Sequence, residues 1–128
     1  GYNIINLAVK NSIAVTVIPG ATALINALVL SGRPAHRFIF EGFLPPRRLA
    51  RQNRLKAILS SDCTAVFYES CHRILDTLED IHNLSPGKEI VVCRELTKKF
   101  EEAKRGTAWA VLQELKKGRP RGEFVLVV

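Results

Sequence analysis

The sequence has no methionine, one tryptophan and only three cysteines, Cys63, Cys71 and Cys93. The cysteines show no C-x-x-C spacing and no histidine at zinc-ligand distance, so neither a disulfide framework nor a metal site is expected. Reduced thiols in a cytoplasmic setting fit best. Cys71 and His72 are neighbours, but adjacent side chains on a helix diverge by about 100°, so a small buried thiol and a partly exposed imidazole are expected rather than a nucleophile and its base. No apolar run approaches the roughly twenty residues of a membrane-spanning helix, and no secretory pattern is visible near Gly1. No G-x-G-x-x-G follows a strand, and neither a Walker loop nor a G-x-S-x-G elbow is present. Internal repeats, low-complexity segments and flexible linkers are absent too. Acidic residues are the scarcer sign of charge, 12 against 19 basic, giving a net charge of +7. That balance favours an anionic partner such as nucleic acid, though it fits a plain solvated surface as well.

What is present is one core's worth of apolar sequence. The chain has 128 residues, 47% of them hydrophobic, enough to bury about two-thirds of the surface an unfolded chain exposes. The most informative stretch runs from Thr64 to Ile81. Ala65, Val66, Phe67 and Tyr68 read as a buried strand that stops at a polar turn, Glu69-Ser70-Cys71-His72-Arg73. Ile74, Leu75, Leu78 and Ile81 then recur at helical spacing, with Ser70 as the expected cap. Two further apolar runs end the same way, Phe38-Ile39-Phe40 at Glu41-Gly42 and Ile90-Val91-Val92-Cys93 at Arg94-Glu95. If those strands are parallel, their charged ends share one rim, which is where open α/β sheets bind ligands.

Along the chain, Tyr2 to Lys10 reads as a short helix and Ile13 to Ile18 as a β-branched strand closed by Pro19-Gly20. Residues 1–19 are expected to be the last helix and strand of a preceding α/β unit, and residues 20–128 the next domain. Gly1-Tyr2 opens a chain without methionine, so a fragment is expected. Thr22 should cap an all-apolar helix, Ala23 to Leu30, ended by Gly32 and buried at a domain or dimer interface. Pro46 suits the first turn of another helix that turns Leu55, Ile58 and Leu59 inward. On its other side Arg47, Arg51 and Arg54, with Arg48 adjacent, form a stripe with no nearby acidic residue in sequence, able to hold phosphates or simply to face solvent. Lys98 to Arg105 reads as a loop or edge strand, and Thr107 caps a helix carrying Val111, Leu112 and Leu115 inward. Phe124 to Val128 is apolar enough to be inserted within the sheet, with Gly122 allowing close approach.

Several strings together resemble the tetrapyrrole methylase family and its RNA-modifying branch. They are Val17-Ile18-Pro19-Gly20, Glu41-Gly42-Phe43-Leu44-Pro45, Phe67-Tyr68-Glu69-Ser70 with His72-Arg73, Arg94-Glu95-Leu96-Thr97-Lys98 and Gly122-Glu123-Phe124-Val125-Leu126-Val127. The resemblance implies the C-terminal domain of that fold, a mixed sheet of about five strands flanked by helices, with S-adenosylmethionine held in a cleft against an N-terminal domain. It implies cofactor contacts from Pro19, Gly20, Ala21 and Thr22, from Phe67 and Tyr68, from Arg94, Glu95 and Leu96, and from Gly122, Glu123 and Phe124. It also implies 2′-O-methylation of a cytidine ribose in small-subunit (16S) rRNA, and a chain that is inactive alone because it supplies half of the cleft.

Glu69, His72, Glu95 and Lys98 are the groups able to take or relay the hydroxyl proton, and no single base is indicated. With an rRNA or ribosomal-subunit substrate, Arg47, Arg48, Arg51 and Arg54 become phosphate contacts. Two other readings stay open: an RNA-binding domain without catalysis, and a methylase of tetrapyrroles or another substrate on the same fold.

Overall fold

The computed structural model describes residues 1–128. Five helices and five strands occur in the order α1 (Tyr2–Lys10), α2 (Ala23–Ser31), β1 (Phe38–Phe43), α3 (Arg48–Leu59), β2 (Thr64–Ser70), α4 (Ile74–Leu84), β3 (Glu89–Arg94), β4 (Glu102–Thr107), α5 (Ala108–Lys116) and β5 (Glu123–Val127). The strands form one mixed sheet ordered β1-β2-β5-β3-β4. β1 and β2 are parallel, whereas β5 is antiparallel to both β2 and β3, so β1, β2 and β3 all point the same way. The last strand of the chain is thus inserted at the centre, as its uninterrupted apolar character predicts.

Alternation along the strands divides the core into two layers. Ala65, Phe67, Ile90, Val92, Phe124 and Leu126 face α3, α4 and α5, whose Leu55, Ile58, Ile74, Leu78, Val111 and Leu112 complete the larger cluster. On the opposite face Val66, Val91, Val125 and Val127 meet Ala27 and Leu28 of α2. Each large apolar side chain buried this way contributes about 1.5–3 kcal/mol.

Several expectations need correction. Residues 13–18 form no strand and lie exposed, because their β-branched side chains have no strand edge to pair with. α2 meets the sheet with its inner side, leaving Ile25 and Val29 exposed on this chain and open to the expected interface. Thr22 is its N-cap by position but makes no side-chain cap bond. β1 continues past Glu41 to Phe43 through a bulge, which Gly42 permits at φ 63°. Pro46 precedes α3, whose N-cap is Arg47. Ser70 remains in β2, and after a three-residue turn Arg73 becomes the N-cap of α4. Thr107 does cap α5, its hydroxyl accepting the Ala110 N–H.

The arginine stripe is the largest departure. Arg51 is buried, and its guanidinium meets Asp80 at 2.8 Å. Asp80, fully buried on α4, also accepts from Arg48 Nε at 3.1 Å and Gln52 Nε2 at 2.8 Å. Arg54 pairs with Glu41, Nε to Oε2 at 2.7 Å. The stripe therefore joins α3 to α4 and to β1, and only Arg47 lacks a carboxylate partner.

Burial alone would raise the Asp80 carboxyl pKa, but the hydrogen bonds from Gln52, Arg51 and Arg48 outweigh it and hold the group below its ordinary value. Because the folded pKa is the lower one, this stabilisation is complete above the unfolded value of about 3.9 and is lost as pH falls through the folded value. Asp80→Ala strands the buried Arg51 charge, and urea denaturation is expected to read a loss of about 3–5 kcal/mol. Replacing both partners, Arg51→Met with Asp80→Leu, is expected to recover most of it; a double variant no better than the single would show the pair is not the source.

Candidate functional site

Because β5 runs against its neighbours, its first residues meet the last residues of β2 and β3. Ser70 is opposite Glu123, and Arg94 is opposite Phe124. The shared rim expected from the charged strand ends is present, with Glu123 added from the reversed strand. A cavity of about 480 Å³ opens there, lined among others by Ala23, Phe43, Tyr68, Ser70, Gly122 and Val125. Its size lies in the range of small-molecule sites. Tyr68 forms its aromatic wall, with the Phe40 and Phe43 rings edge-on at 5.0 and 5.6 Å. Ala23 opens α2, whose first-turn N–H groups receive no side-chain cap and so stay available to an acceptor.

Glu95 holds the lip of this cavity. Its Oε1 accepts the Glu123 N–H at 2.9 Å and the Lys98 ammonium at 3.0 Å, while its own N–H donates to the Glu123 carbonyl. Lys98 also donates to Glu123 Oε2 at 2.8 Å. The Glu123 N–H, followed by Lys98, lowers the Glu95 carboxyl pKa; Glu123 and Glu95 together raise that of Lys98. Lys98 is thereby held between two carboxylates. Glu95 and Thr97 both have left-handed backbone, φ 50° and 67°, a strained arrangement for residues with side chains. Gly122, at φ 87°, sits so close that a Cβ would lie 2.6 Å from Glu95 Cδ.

Glu69 is also committed. Buried at 1% exposure, it accepts the Ser70 N–H at 2.8 Å and the Arg73 guanidinium at 2.7 Å on Oε1, and the Thr77 hydroxyl at 2.9 Å on Oε2. Arg73 continues to the Leu44 carbonyl at 3.2 Å, so one carboxylate ties the β2 turn to the loop after β1. His72, in contrast, is exposed in that turn, next to the cavity-lining Cys71.

Of the cofactor residues expected from sequence, Tyr68, Gly122, Glu123 and Phe124 line the main cavity, while Arg94, Glu95 and Gly122 line the adjoining one. Pro19, Gly20, Ala21 and Thr22 are exposed and lead directly into α2. Phe67 and Leu96 line neither cavity. The Phe67 side chain points into the larger core on the far face, because it follows Val66 and precedes Tyr68 in strict alternation. Leu96 is buried against the α2 layer. Ala23, Phe43 and Cys71 were missed; Phe43 lies inside a recognised string, Cys71 directly after Ser70, and Ala23 directly after Thr22.

The sequence model for tetrapyrrole (corrin/porphyrin) methylases matches residues 1–111. This chain belongs to the tetrapyrrole methylase family. It is 41% identical over its whole length to the ribosomal RNA small subunit methyltransferase I of Halalkalibacterium halodurans, covering 44% of that protein. It is 46% identical to the protein of the same name from Hydrogenobaculum sp., covering 56%. The chain thus spans about half the length of these relatives. The tetrapyrrole methylase fold is also that of the methyltransferase CobJ, with TM-score 0.64 and 20% identity over 98% of this chain and 56% of that one. It recurs in uroporphyrin-III C-methyltransferase from Thermus thermophilus complexed with S-adenosyl homocysteine, at TM-score 0.59, 18% identity and coverage of 98% and 58%.

Gly122→Ala is expected to lower stability by about 1–3 kcal/mol through left-handed strain and the clash with Glu95. Adding Glu95→Ala removes the clash but not the strain, so the double variant should regain part of the loss in a thermal melt. A Gly122→Ala protein as stable as the parent would mean the lip is loose.

Proposed function

We propose that this chain is part of an S-adenosylmethionine-dependent methyltransferase that methylates the ribose 2′-hydroxyl of a cytidine in small-subunit rRNA. The observation that carries the reading is the rim cavity, walled by Tyr68 and closed by the Glu95-clamped Gly122-Glu123-Phe124 turn, in a chain that matches about half of proteins named ribosomal RNA small subunit methyltransferase I.

The cavity suits the cofactor chemically. Tyr68 and Phe43 offer aromatic surface to an adenine, and the uncapped first turn of α2 offers N–H groups to a carboxylate. The absence of a Cβ at Gly122 makes room for the Glu95 side chain behind that turn. Pro19, Gly20, Ala21 and Thr22 would close over the same end. When bound, the cofactor supplies a methyl group already activated on a sulfonium. What remains for the protein is to hold the ribose oxygen in line and to accept its proton.

Among the four candidate groups, Glu69 and Glu95 each accept several hydrogen bonds, and Lys98 bridges two carboxylates. His72 makes no side-chain hydrogen bond and remains free to take the proton, with Glu69 and Arg73 fixing the turn that carries it. Of the helix α3 cations, Arg47 and the exposed side of Arg48 are available to phosphate.

Methyl transfer from labelled S-adenosylmethionine to small-subunit rRNA by the intact gene product tests this, with the label mapped by alkaline hydrolysis, which a 2′-O-methyl group blocks. His72→Ala is expected to lower kcat by about a hundredfold with cofactor affinity unchanged. Tyr68→Ala is expected to weaken cofactor binding by about tenfold. Label in a base, or in a tetrapyrrole acceptor and not in rRNA, would refute the assignment.

A further inference from the structure

The rim cavity is not isolated. A second hollow of about 350 Å³, lined by Arg94, Glu95, Phe100, Arg121 and Gly122, shares Gly122 with it. A third of about 180 Å³, reaching Lys104 and Arg119, shares Arg94 with the second. The three run end to end along the sheet rim, from Tyr68 past the start of β5 to the C-terminal end of α5.

Arg119 lines the third hollow and Arg121 the second, with Lys116 and Lys117 just before them in the chain. Lys116, Lys117, Arg119 and Arg121 fall within six consecutive residues, and none pairs with a carboxylate. The carboxylates nearby are already engaged: Glu95 and Glu123 by Lys98, Glu102 by Arg94 and Lys104, and Glu114 by Lys104. Glu101 accepts the Thr97 N–H. Lys116 and Lys117 have an ordinary use at the end of α5, where cations offset the helix dipole. Arg119 and Arg121 lie beyond that helix, and nothing in the fold uses them. Phe100, which lines the second hollow with Arg121, is 67% exposed with the Lys99 ammonium 5.7 Å from its ring centre. An exposed aromatic ring among unpaired cations is the combination that stacks an unpaired base and holds its phosphates.

We propose that Lys117, Arg119, Arg121 and Phe100 form a docking track for single-stranded RNA flanking the nucleotide presented to the cavity. The identity of the partner rests on the rRNA methyltransferase reading above. On α3, by contrast, Arg48, Arg51 and Arg54 are bound to carboxylates within the fold. The track also begins at the cavity, so RNA lying on it leads directly to the site.

Fluorescence anisotropy with a labelled single-stranded oligonucleotide of small-subunit rRNA sequence, run against the intact gene product at several salt concentrations, tests the track. The triple variant Lys117→Gln, Arg119→Gln, Arg121→Gln is expected to bind at least about tenfold more weakly near physiological salt. Its logarithmic salt slope should be shallower by about two. Phe100→Ala should lose about fivefold or more with the slope unchanged. S-adenosylmethionine titrated in parallel should bind both variants as it binds the parent, and a thermal melt checks that each is folded. Parent-like RNA affinity and slope in the triple variant would overturn the track and leave the methyltransferase reading standing. A parent protein that binds anionic vesicles and no RNA would overturn both.

Discussion

The insertion of β5 between β2 and β3 is the constraint on which the site depends. β5 donates and accepts backbone hydrogen bonds along both edges, with Val127 opposite Val66 on one side and Val91 on the other. Without it the parallel pair β1-β2 and the hairpin β3-β4 would be separate pieces, each with an unpaired edge. Its reversed direction has a second effect. A parallel strand in that position would place its start at the opposite end of the sheet, whereas this one brings Gly122 and Glu123 to the ends of β2 and β3. Since β5 is the last element, the cavity forms only once contacts across most of the chain are in place, a topology with a high loop-closure cost.

The rim is then fixed by carboxylates. Glu69 binds the turn after β2 to the loop after β1, and Glu95 binds the segment after β3 to the start of β5. Each joins two connections that have no regular hydrogen-bond ladder of their own. Their oxygens are saturated by donors, which is how a buried acid such as Glu69 is tolerated at all. The strain at Glu95 and Thr97 sits where this second tie is made, consistent with surrounding structure holding an otherwise unfavoured backbone. A cavity whose walls come from four different connections needs such ties, because loops alone would not keep Phe43, Ser70, Cys71 and Gly122 in register.

Much of this was legible in the sequence, and the boundary is physical. Strands with uninterrupted apolar character, helices with clean 3.6-residue spacing, the Thr107 cap and the central place of β5 all follow from local pattern. So does the shared rim, because β1, β2 and β3 each carry a charged residue at or within two residues of their ends. The α3 arginines were misread for a reason local pattern cannot supply. Their partners Asp80 and Glu41 lie 29 residues from Arg51 and 13 from Arg54. A search for neutralising charge within one helix face cannot find a partner on another element. Residues 13–18 failed in the same way from the other side: their β propensity is real, but a strand exists only where an edge receives it.

The same argument decides which cations remain for a polyanion. Seven of the nineteen lysines and arginines are bound to carboxylates, and those seven include three of the four that looked most free in sequence. A net charge of +7 is therefore not spread over the surface in the way the sequence orders it. It rests on cations whose neighbouring acids are already paired, and Arg119 and Arg121 qualify because Glu102, Glu114 and Glu95 beside them are bound to Arg94, Lys104 and Lys98. Residues with no packing or pairing duty contribute little to stability and are free for contacts outside the chain. Arg119 and Arg121 are in that position. They stand next to Gly122, the one residue on this rim that cannot carry a side chain without displacing Glu95.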